Sequence, residues 1–185
     1  MFGNLGKQYA SQIAGKLESC CMDQLSKNSN GASESATETL GKVHGNRRAL
    51  FVGINYFGTK SELRGCINDV KNIKDFLTRN YDIDEYLVLT DDSRDPKCQP
   101  TRANIINAFK WLRRGAKPGD SLIFHYSGHG GSQKDQDGDE EDGMDETLCP
   151  VDYATAGVIV DDEVHEILCR GLPKGVRLTS ISKCV

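Results

Sequence analysis

Short apolar runs alternate with amphipathic stretches from Arg47 onward, and this alternation constrains the fold more than any other feature of the sequence. Residues 49–54 form an uninterrupted apolar run, as expected of a strand buried on both faces. Residues 68–80 carry apolar side chains at helical spacing. The same alternation between apolar runs and helical spacing recurs further along the chain. It predicts strands at 86–89, 120–126 and 176–181. It also predicts helices that begin at Thr101 and at Asp161 or Asp162.

Strands that alternate with helices favour an α/β fold, in which a mostly parallel sheet carries helices on both faces. Between residues 151 and 160 we expect two short extended pieces around a turn at Ala156 and Gly157. In parallel sheets the functional groups lie on loops beyond the carboxyl ends of the strands. We therefore expect a site on the loops that follow Ile54, Tyr126 and Ile181.

The first 45 residues differ from the rest of the chain. Their apolar side chains recur at helical spacing and predict a short amphipathic helix, with Phe2, Leu5, Tyr9, Ile13, Leu17 and Cys21 on one face. The polar residues 26–38 predict a flexible linker. This arm is either a loosely ordered tail or a pro-segment or docking helix. We divide the chain into an arm with its linker, 1–45, and one domain, 46–185.

Composition excludes several classes of protein. Hydrophobic residues make up 37% and charged residues 27% of the chain, as in soluble globular domains, and the net charge of -4 gives no nucleic-acid footprint. No apolar run approaches the roughly 20 residues that span a bilayer, and no secretory signal is visible. The seven cysteines show no repeated C-x-x-C pair. Reduced thiols and a cytoplasmic location are expected.

The loop after residues 120–126 contains a candidate catalytic group. It reads His-Tyr-Ser-Gly-His-Gly-Gly over 125–131, and the glycines on both sides of His129 open space around its imidazole. A histidine at the end of a buried strand is well placed to act as a general base. The alternative is a structural histidine in a glycine-rich turn. His125 lies within the strand and is expected to pack.

Residues 135–146 are strongly acidic, with eight carboxylates in twelve residues. Positions 1, 3, 5 and 12 of an EF-hand loop would be filled by Asp135, Asp137, Asp139 and Glu146. Position 6 is Glu140 where that loop needs glycine, and no helix clearly enters from Ser132. A mobile acidic surface loop is the favoured interpretation, and a weak calcium site is the alternative.

Six segments, in order, resemble the metacaspase family of caspase-fold cysteine peptidases. They are residues 49–56, 63–70, 125–130, 149–152, 159–162 and 176–179. Each segment is a weak signal alone, but the ordered set is specific and extends from about Arg47 to Ile181. The resemblance implies a caspase-like three-layer sandwich. It also implies an endopeptidase that cleaves protein or peptide substrates after Arg or Lys.

The resemblance assigns roles to individual residues. His129 falls on the catalytic histidine, and backbone N–H groups near Gly130 would contribute to an oxyanion hole. Positions that line the pocket for the basic side chain are filled by Cys66, Asp69 and Ser127. A buried carboxylate such as Asp69 is a suitable partner for a basic group. The alternative for Asp69 is an acid that interacts with a helix macrodipole.

Calcium activates many members of the family, and Asp145, Asp161 and Asp162 fall on carboxylates of that site. Clustered carboxylate oxygens suit a hard cation. A further family ligand lies beyond Val185, so we expect the calcium site to be incomplete in this chain. The alternative for Asp161 and Asp162 is helix capping.

The chain departs from the family pattern at residues 182–185. The family continues with Phe-Asp, then Ser or Cys, then the nucleophilic Cys, whereas this chain has Ser-Lys-Cys-Val. Val185 falls on the nucleophile and has no ionisable group. Lys183 falls on a pocket aspartate, and it would repel an arginine substrate by roughly 3 kcal/mol at about 5 Å and an effective dielectric near 20. Cys184 is a poor substitute because a one-residue slip turns its side chain to the opposite face.

Three interpretations follow from this departure. The chain is the front part of a catalytic domain, truncated before the nucleophile, lacking the C-terminal strands and inactive alone. Alternatively, it is a non-catalytic pseudopeptidase that associates with related metacaspases, or a calcium-responsive acidic module. In the first case its last strand is an open sheet edge with unpaired backbone groups.

Overall fold

The computed structural model describes residues 44–134 and 144–184. The predicted arm helix and linker, most of the acidic stretch 135–146, and Val185 lie outside the described residues. The described chain begins with His44 and Gly45, whose backbone N–H groups donate to the carbonyl of Gly119 at 3.3 and 3.0 Å. The chain is therefore fastened to the domain close to the predicted boundary at residue 45.

Seven strands and four α-helices make up the described residues. The strands are β1 (Arg47–Gly53), β2 (Glu85–Thr90), β3 (Ser121–Gly128), β4 (Gly130–Lys134), β5 (Met144–Leu148), β6 (Ile159–Val160) and β7 (Arg177–Cys184). The helices are α1 (Cys66–Asn80), α2 (Arg102–Arg113), α3 (Tyr153–Ala156) and α4 (Asp161–Leu168). A 3₁₀ turn covers Pro96–Cys98. Among these helices, none is long and apolar enough to cross a membrane.

The main sheet is parallel and has the order β2-β1-β3-β7. Helix α1 covers one face, where Val70 and Leu77 pack on Phe51. Helices α2 and α4 cover the other face, where the Phe109 and Phe124 rings meet edge to face at 5.0 Å. Residues of β1 alternate between these layers, so its apolar run is buried on both sides. The predicted α/β three-layer sandwich is confirmed.

A smaller antiparallel sheet, β4-β5-β6, follows the main sheet. Sequence reasoning missed β4 and β5 because neither has the apolar alternation of a half-buried strand, and their pairing with each other stabilises them. The prediction of a surface loop is wrong for the end of the acidic stretch, because Asp145 and Glu146 are buried on β5. Strands rather than helices flank residues 135–143, so the helices of an EF-hand are missing on both sides. The weak calcium site stays a prediction.

Two local predictions need correction. The first predicted extended piece in 151–160 is the helical turn α3, where the carbonyl of Asp152 accepts from Thr155 and Ala156. Helix α4 begins at Asp161 after Val160, with no capping side chain, so the capping role of Asp161 or Asp162 is wrong. Both acids lie in the first turn of α4, where the helix dipole favours negative charge. By contrast, Thr101 caps α2 as predicted, accepting from Asn104 N at 3.3 Å.

Candidate active site

The four parallel strands end at one edge of the main sheet. Gly53 pairs with Thr90 of β2 and Ser127 of β3, and Gly128 pairs with Cys184 of β7. The loops after β1 and β3 and the end of β7 therefore lie next to each other. This is where the sequence predicted the site.

The β1–α1 loop is held by a carboxylate that directly follows β2. Asp91 accepts backbone N–H bonds from Asn55 at 3.0 Å and from Tyr56 at 2.6 Å. The Asn55 side chain accepts in turn from the first N–H of α1, that of Cys66, at 3.0 Å. Tyr56 has φ 54°, a conformation that side-chain-bearing residues rarely adopt. The loop is thus fixed in one strained shape at the edge of the sheet.

The imidazole of His129 points at this loop. Its Nε2 lies 2.7 Å from the carbonyl oxygen of Ser61, and its ring packs on the Tyr56 ring with centroids 4.8 Å apart. A carbonyl only accepts hydrogen bonds, so Nε2 carries the proton. In the neutral ring, Nδ1 is then the atom that can accept a proton.

Two buried tyrosines hold the backbone of His129 and Cys149. Tyr56 Oη accepts from His129 N at 3.0 Å and donates to the Cys149 carbonyl at 2.6 Å. Tyr126 Oη donates to the His129 carbonyl at 2.7 Å and accepts from Cys149 N at 3.3 Å. Burial raises the pKa of both phenols, so both remain neutral. A Cβ at Gly128 would lie 2.7 Å from Tyr126 Oη, which explains the glycine.

The structure brings Cys66, Asp69 and Ser127 together, and we call this group the acidic pocket. Ser127 is fully buried, and its Oγ donates to Asp69 Oδ2 at 2.9 Å. Cys66 opens the helix that carries Asp69, and burial raises the pKa of its thiol. Lys183 places its Nζ 2.9 Å from the same Asp69 oxygen. The lysine expected to repel a basic substrate is thus ion-paired with the pocket carboxylate.

Gly130 and Cys184 touch at the end of β7. A Cβ at Gly130 would lie 2.9 Å from Cys184 Cβ, so only glycine permits this approach. The Cys184 side chain is buried in the core under α2 and α4, on the opposite side of β7 from the exposed Lys183. Burial, and then the neighbouring Cys149, raise the pKa of the Cys184 thiol to about 12. The thiol is protonated at neutral pH and is a weak nucleophile.

The three predicted calcium ligands lie at one end of the smaller sheet. Thr147 of β5 pairs with Val160 of β6, so Asp145 precedes and Asp161 and Asp162 follow at the same end of this ladder. Asp145 Oδ1 is buried and has no hydrogen-bond partner. In the described residues, no group of three or more His, Cys, Asp or Glu side chains assembles for a metal. The unpartnered Asp145 oxygen fits a cation, but the donor set is partial.

Sequence reasoning did not assign roles to Tyr56, Asp91 and Tyr126. Both tyrosines lie in the segments that carry the family resemblance, and Asp91 directly follows β2, at the edge where functional loops are expected. His125 is buried in β3, as predicted. Its Nδ1 donates to the Ile181 carbonyl at 3.0 Å, and burial lowers its pKa.

The layered parallel sheet, with a histidine loop at its carboxyl edge, defines a caspase-like domain. A family model described as "Metacaspase, peptidase C14 domain" matches residues 47–185. The chain belongs to this family of cysteine peptidases, which confirms the resemblance seen in the sequence.

Individual relatives agree with the family assignment. Metacaspase-1 of Coccidioides immitis is 54% identical over 153 residues, covering 82% of this chain and 33% of that protein. Metacaspase-1 of Eremothecium gossypii is 59% identical over 139 residues, covering 74% of this chain and 31% of that protein. The crystal structure of protein GSU0716 from Geobacter sulfurreducens matches with a TM-score of 0.56 and 30% identity, covering 75% of this chain and 50% of that one. The chain spans about a third of the length of these curated relatives.

Proposed function

We propose that this chain carries the general base and the substrate pocket of a metacaspase-type endopeptidase that cleaves proteins or peptides after Arg or Lys. One observation carries the proposal: Ser127, at the end of β3, hydrogen-bonds Asp69, and His129 follows two residues later with its Nε2 fixed by Ser61. A basic side chain held at Asp69 would bring its own peptide bond close to the imidazole.

The chemical roles follow from the geometry. With Nε2 bound to the Ser61 carbonyl, His129 Nδ1 would accept the proton of a nucleophilic thiol. The thiolate attacks the scissile carbonyl, and the imidazolium returns the proton to the leaving amine. Backbone N–H groups at Gly130 would stabilise the oxyanion. The two tyrosines keep the His129 backbone in place through this cycle.

The proposal includes inactivity of this chain on its own. Val185 falls on the family nucleophile, and the Cys184 thiol has a pKa of about 12. At neutral pH such a thiol stays protonated and is a weak nucleophile. An Arg-containing fluorogenic peptide, assayed with calcium, should therefore show no turnover above that of the His129→Ala variant. Calcium-dependent cleavage that disappears in Cys184→Ala would contradict this and make Cys184 the nucleophile.

Calcium binding is a further part of the proposal. Asp145, Asp161 and Asp162 would hold the ion, which when bound would neutralise the buried Asp145 carboxylate. The buried, unpartnered Asp145 Oδ1 supports this. Calorimetric titration of the full chain with calcium should give a saturable signal that weakens in Asp161→Asn. A titration without heat of binding would remove calcium from the proposal.

The second candidate function is a non-catalytic partner of related metacaspases. The buried Cys184 thiol and the ion-paired Asp69 favour this function. The thiol is a weak nucleophile, and the carboxylate already has a cationic partner. Mixing the chain with an active relative and measuring both complex formation and turnover separates the two functions. In either case we place the protein in the cytoplasm, where the five free cysteines of the described residues would stay reduced.

A further inference from the structure

The position of Lys183 in the acidic pocket follows from the register of the main sheet. Ser127 of β3 pairs with Lys183 of β7, and paired residues of parallel strands project from the same face. Lys183 therefore emerges beside Ser127, on the face covered by α1. From there its Nζ reaches Asp69 Oδ2 at 2.9 Å, which is the oxygen that also accepts from Ser127.

The ion pair engages only one of the two Asp69 carboxylate oxygens. Within the described residues, Asp69 Oδ1 receives no hydrogen bond, whereas Oδ2 receives two. The neighbouring ionisable groups add little charge, since burial raises the pKa of Cys66 and lowers that of His125, and both are neutral. Asp91 is turned to the backbone of Asn55 and Tyr56. Asp69 and Lys183 thus offset each other's charge within the acidic pocket.

We propose that Lys183 is an internal ligand of the acidic pocket, which occupies the place of a substrate's basic side chain and must be displaced before such a side chain can bind. The inference rests on the proposed function, because it takes the acidic pocket to be the substrate's binding site. It adds a residue that sets the affinity of that pocket.

The ion pair between Lys183 and Asp69 is partly exposed to solvent, which weakens it. The Lys183 side chain is 60% exposed and the Asp69 side chain 26%. Ion pairs of this exposure shift an equilibrium by about fivefold or less. Lys183 therefore competes with an incoming cation without closing the pocket permanently. A guanidinium can compete well, because its planar fork can engage Oδ1 and Oδ2 together, whereas the Lys183 ammonium engages one oxygen.

The test uses the full 185-residue chain and n-butylguanidinium as a mimic of the arginine side chain. Binding is followed by NMR, through the backbone amide shifts of Asp69 and Ser127. Lys183→Met keeps most of the stem and removes the charge, and Lys183→Asp replaces the competitor with a second carboxylate. Lys174→Met, at an exposed lysine away from the pocket, is the matched control.

We expect Lys183→Met to bind the probe about threefold to fivefold more tightly than the wild type at low salt, and Lys183→Asp more tightly still. Lys174→Met should bind like the wild type. The gain from Lys183→Met should shrink in 0.5 M salt, because exposed charges are screened. In an Asp69→Asn background, Lys183→Met should bring no gain.

Two failures can be told apart. Equal binding by wild type and Lys183→Met, with weaker binding by Asp69→Asn, would overturn the competition while leaving the pocket of the proposed function intact. Absence of binding in every variant, with amide spectra showing a folded chain, would overturn the pocket assignment itself and the inference with it.

Discussion

The candidate active site has two parts that differ in how they are held. We call the loop with His129 the histidine side and the end of β7, with Lys183 and Cys184, the β7 side. His129 is held by hydrogen bonds to its ring, its N–H and its carbonyl, and the loop it faces is fixed by Asp91. At the end of β7, the Cys184 thiol is buried with a raised pKa, and Lys183 is ion-paired with Asp69. The hydrogen bonds described above for His129 come from Ser61, Tyr56 and Tyr126, none of which lies on β7.

The largest expected effect on stability lies on the histidine side, at Asp91. Asp91→Ala leaves two loop N–H groups without their charged acceptor, and we expect it to lower the free energy of unfolding by about 2–3 kcal/mol. The neighbouring Asp92 is exposed, so Asp92→Ala should change the free energy of unfolding by less than about 0.5 kcal/mol. Urea denaturation measures both. Equal effects would show that the loop does not depend on this carboxylate.

A smaller effect is expected for the tyrosine that holds the His129 carbonyl. Tyr126→Phe removes a buried hydrogen bond of 2.7 Å and should cost about 1–1.5 kcal/mol. The Cys149 N–H, 3.2 Å from the same carbonyl, limits the loss. Tyr153→Phe, on the ring that packs edge to face against Tyr56, is the control and should be close to neutral. A neutral Tyr126→Phe would mean that the histidine side is less rigid than its contacts indicate.

On the β7 side, Cys184 should make stability fall at high pH. Its pKa is about 12 in the folded chain and about 8.5 when unfolded, so above the lower value the unfolded state releases the proton that the folded state keeps. The stabilising contribution of the buried thiol is then fully present below about pH 8.5 and is lost as the pH rises toward 12, by up to about 1.4 kcal/mol per pH unit. The difference in unfolding free energy between wild type and Cys184→Ala should shrink accordingly from pH 8 to 10. A difference independent of pH would contradict the buried, protonated thiol.

The smallest effect on stability is expected for the ion pair in the pocket. Lys183→Met should change the free energy of unfolding by less than about 1 kcal/mol, because the lysine is exposed. Lys174→Met provides the baseline in the same thermal melts. A loss of several kcal/mol would show that Lys183 is a structural residue rather than a displaceable occupant.

The same contrast explains what the sequence could predict. Strands β1 to β3 and helices α1 and α2 have clear apolar periodicity, and the loop with His129 stands out by its glycines. Strands β4 and β5 could not be recognised, because the side chains between Gly130 and Leu148 carry no strand pattern and the pairing is non-local. The position of Asp91 against the β1–α1 loop also depends on strand order, which periodicity does not fix. The Lys183–Asp69 pair needs both strand register and side-chain reach.

We propose that His129 and the acidic pocket are the general base and the substrate pocket of a metacaspase-type peptidase, and that residues 182–185 do not supply its nucleophile. The most direct measurement replaces residues 182–185 by Phe-Asp-Cys-Cys, followed by the C-terminal half of a metacaspase relative, and assays cleavage of Arg and Lys peptides with calcium. We predict cleavage after Arg or Lys that is abolished by His129→Ala and weakened in substrate capture by Asp69→Ala. A folded chimera that stays inactive, or one that cleaves equally well without His129, would contradict the claim.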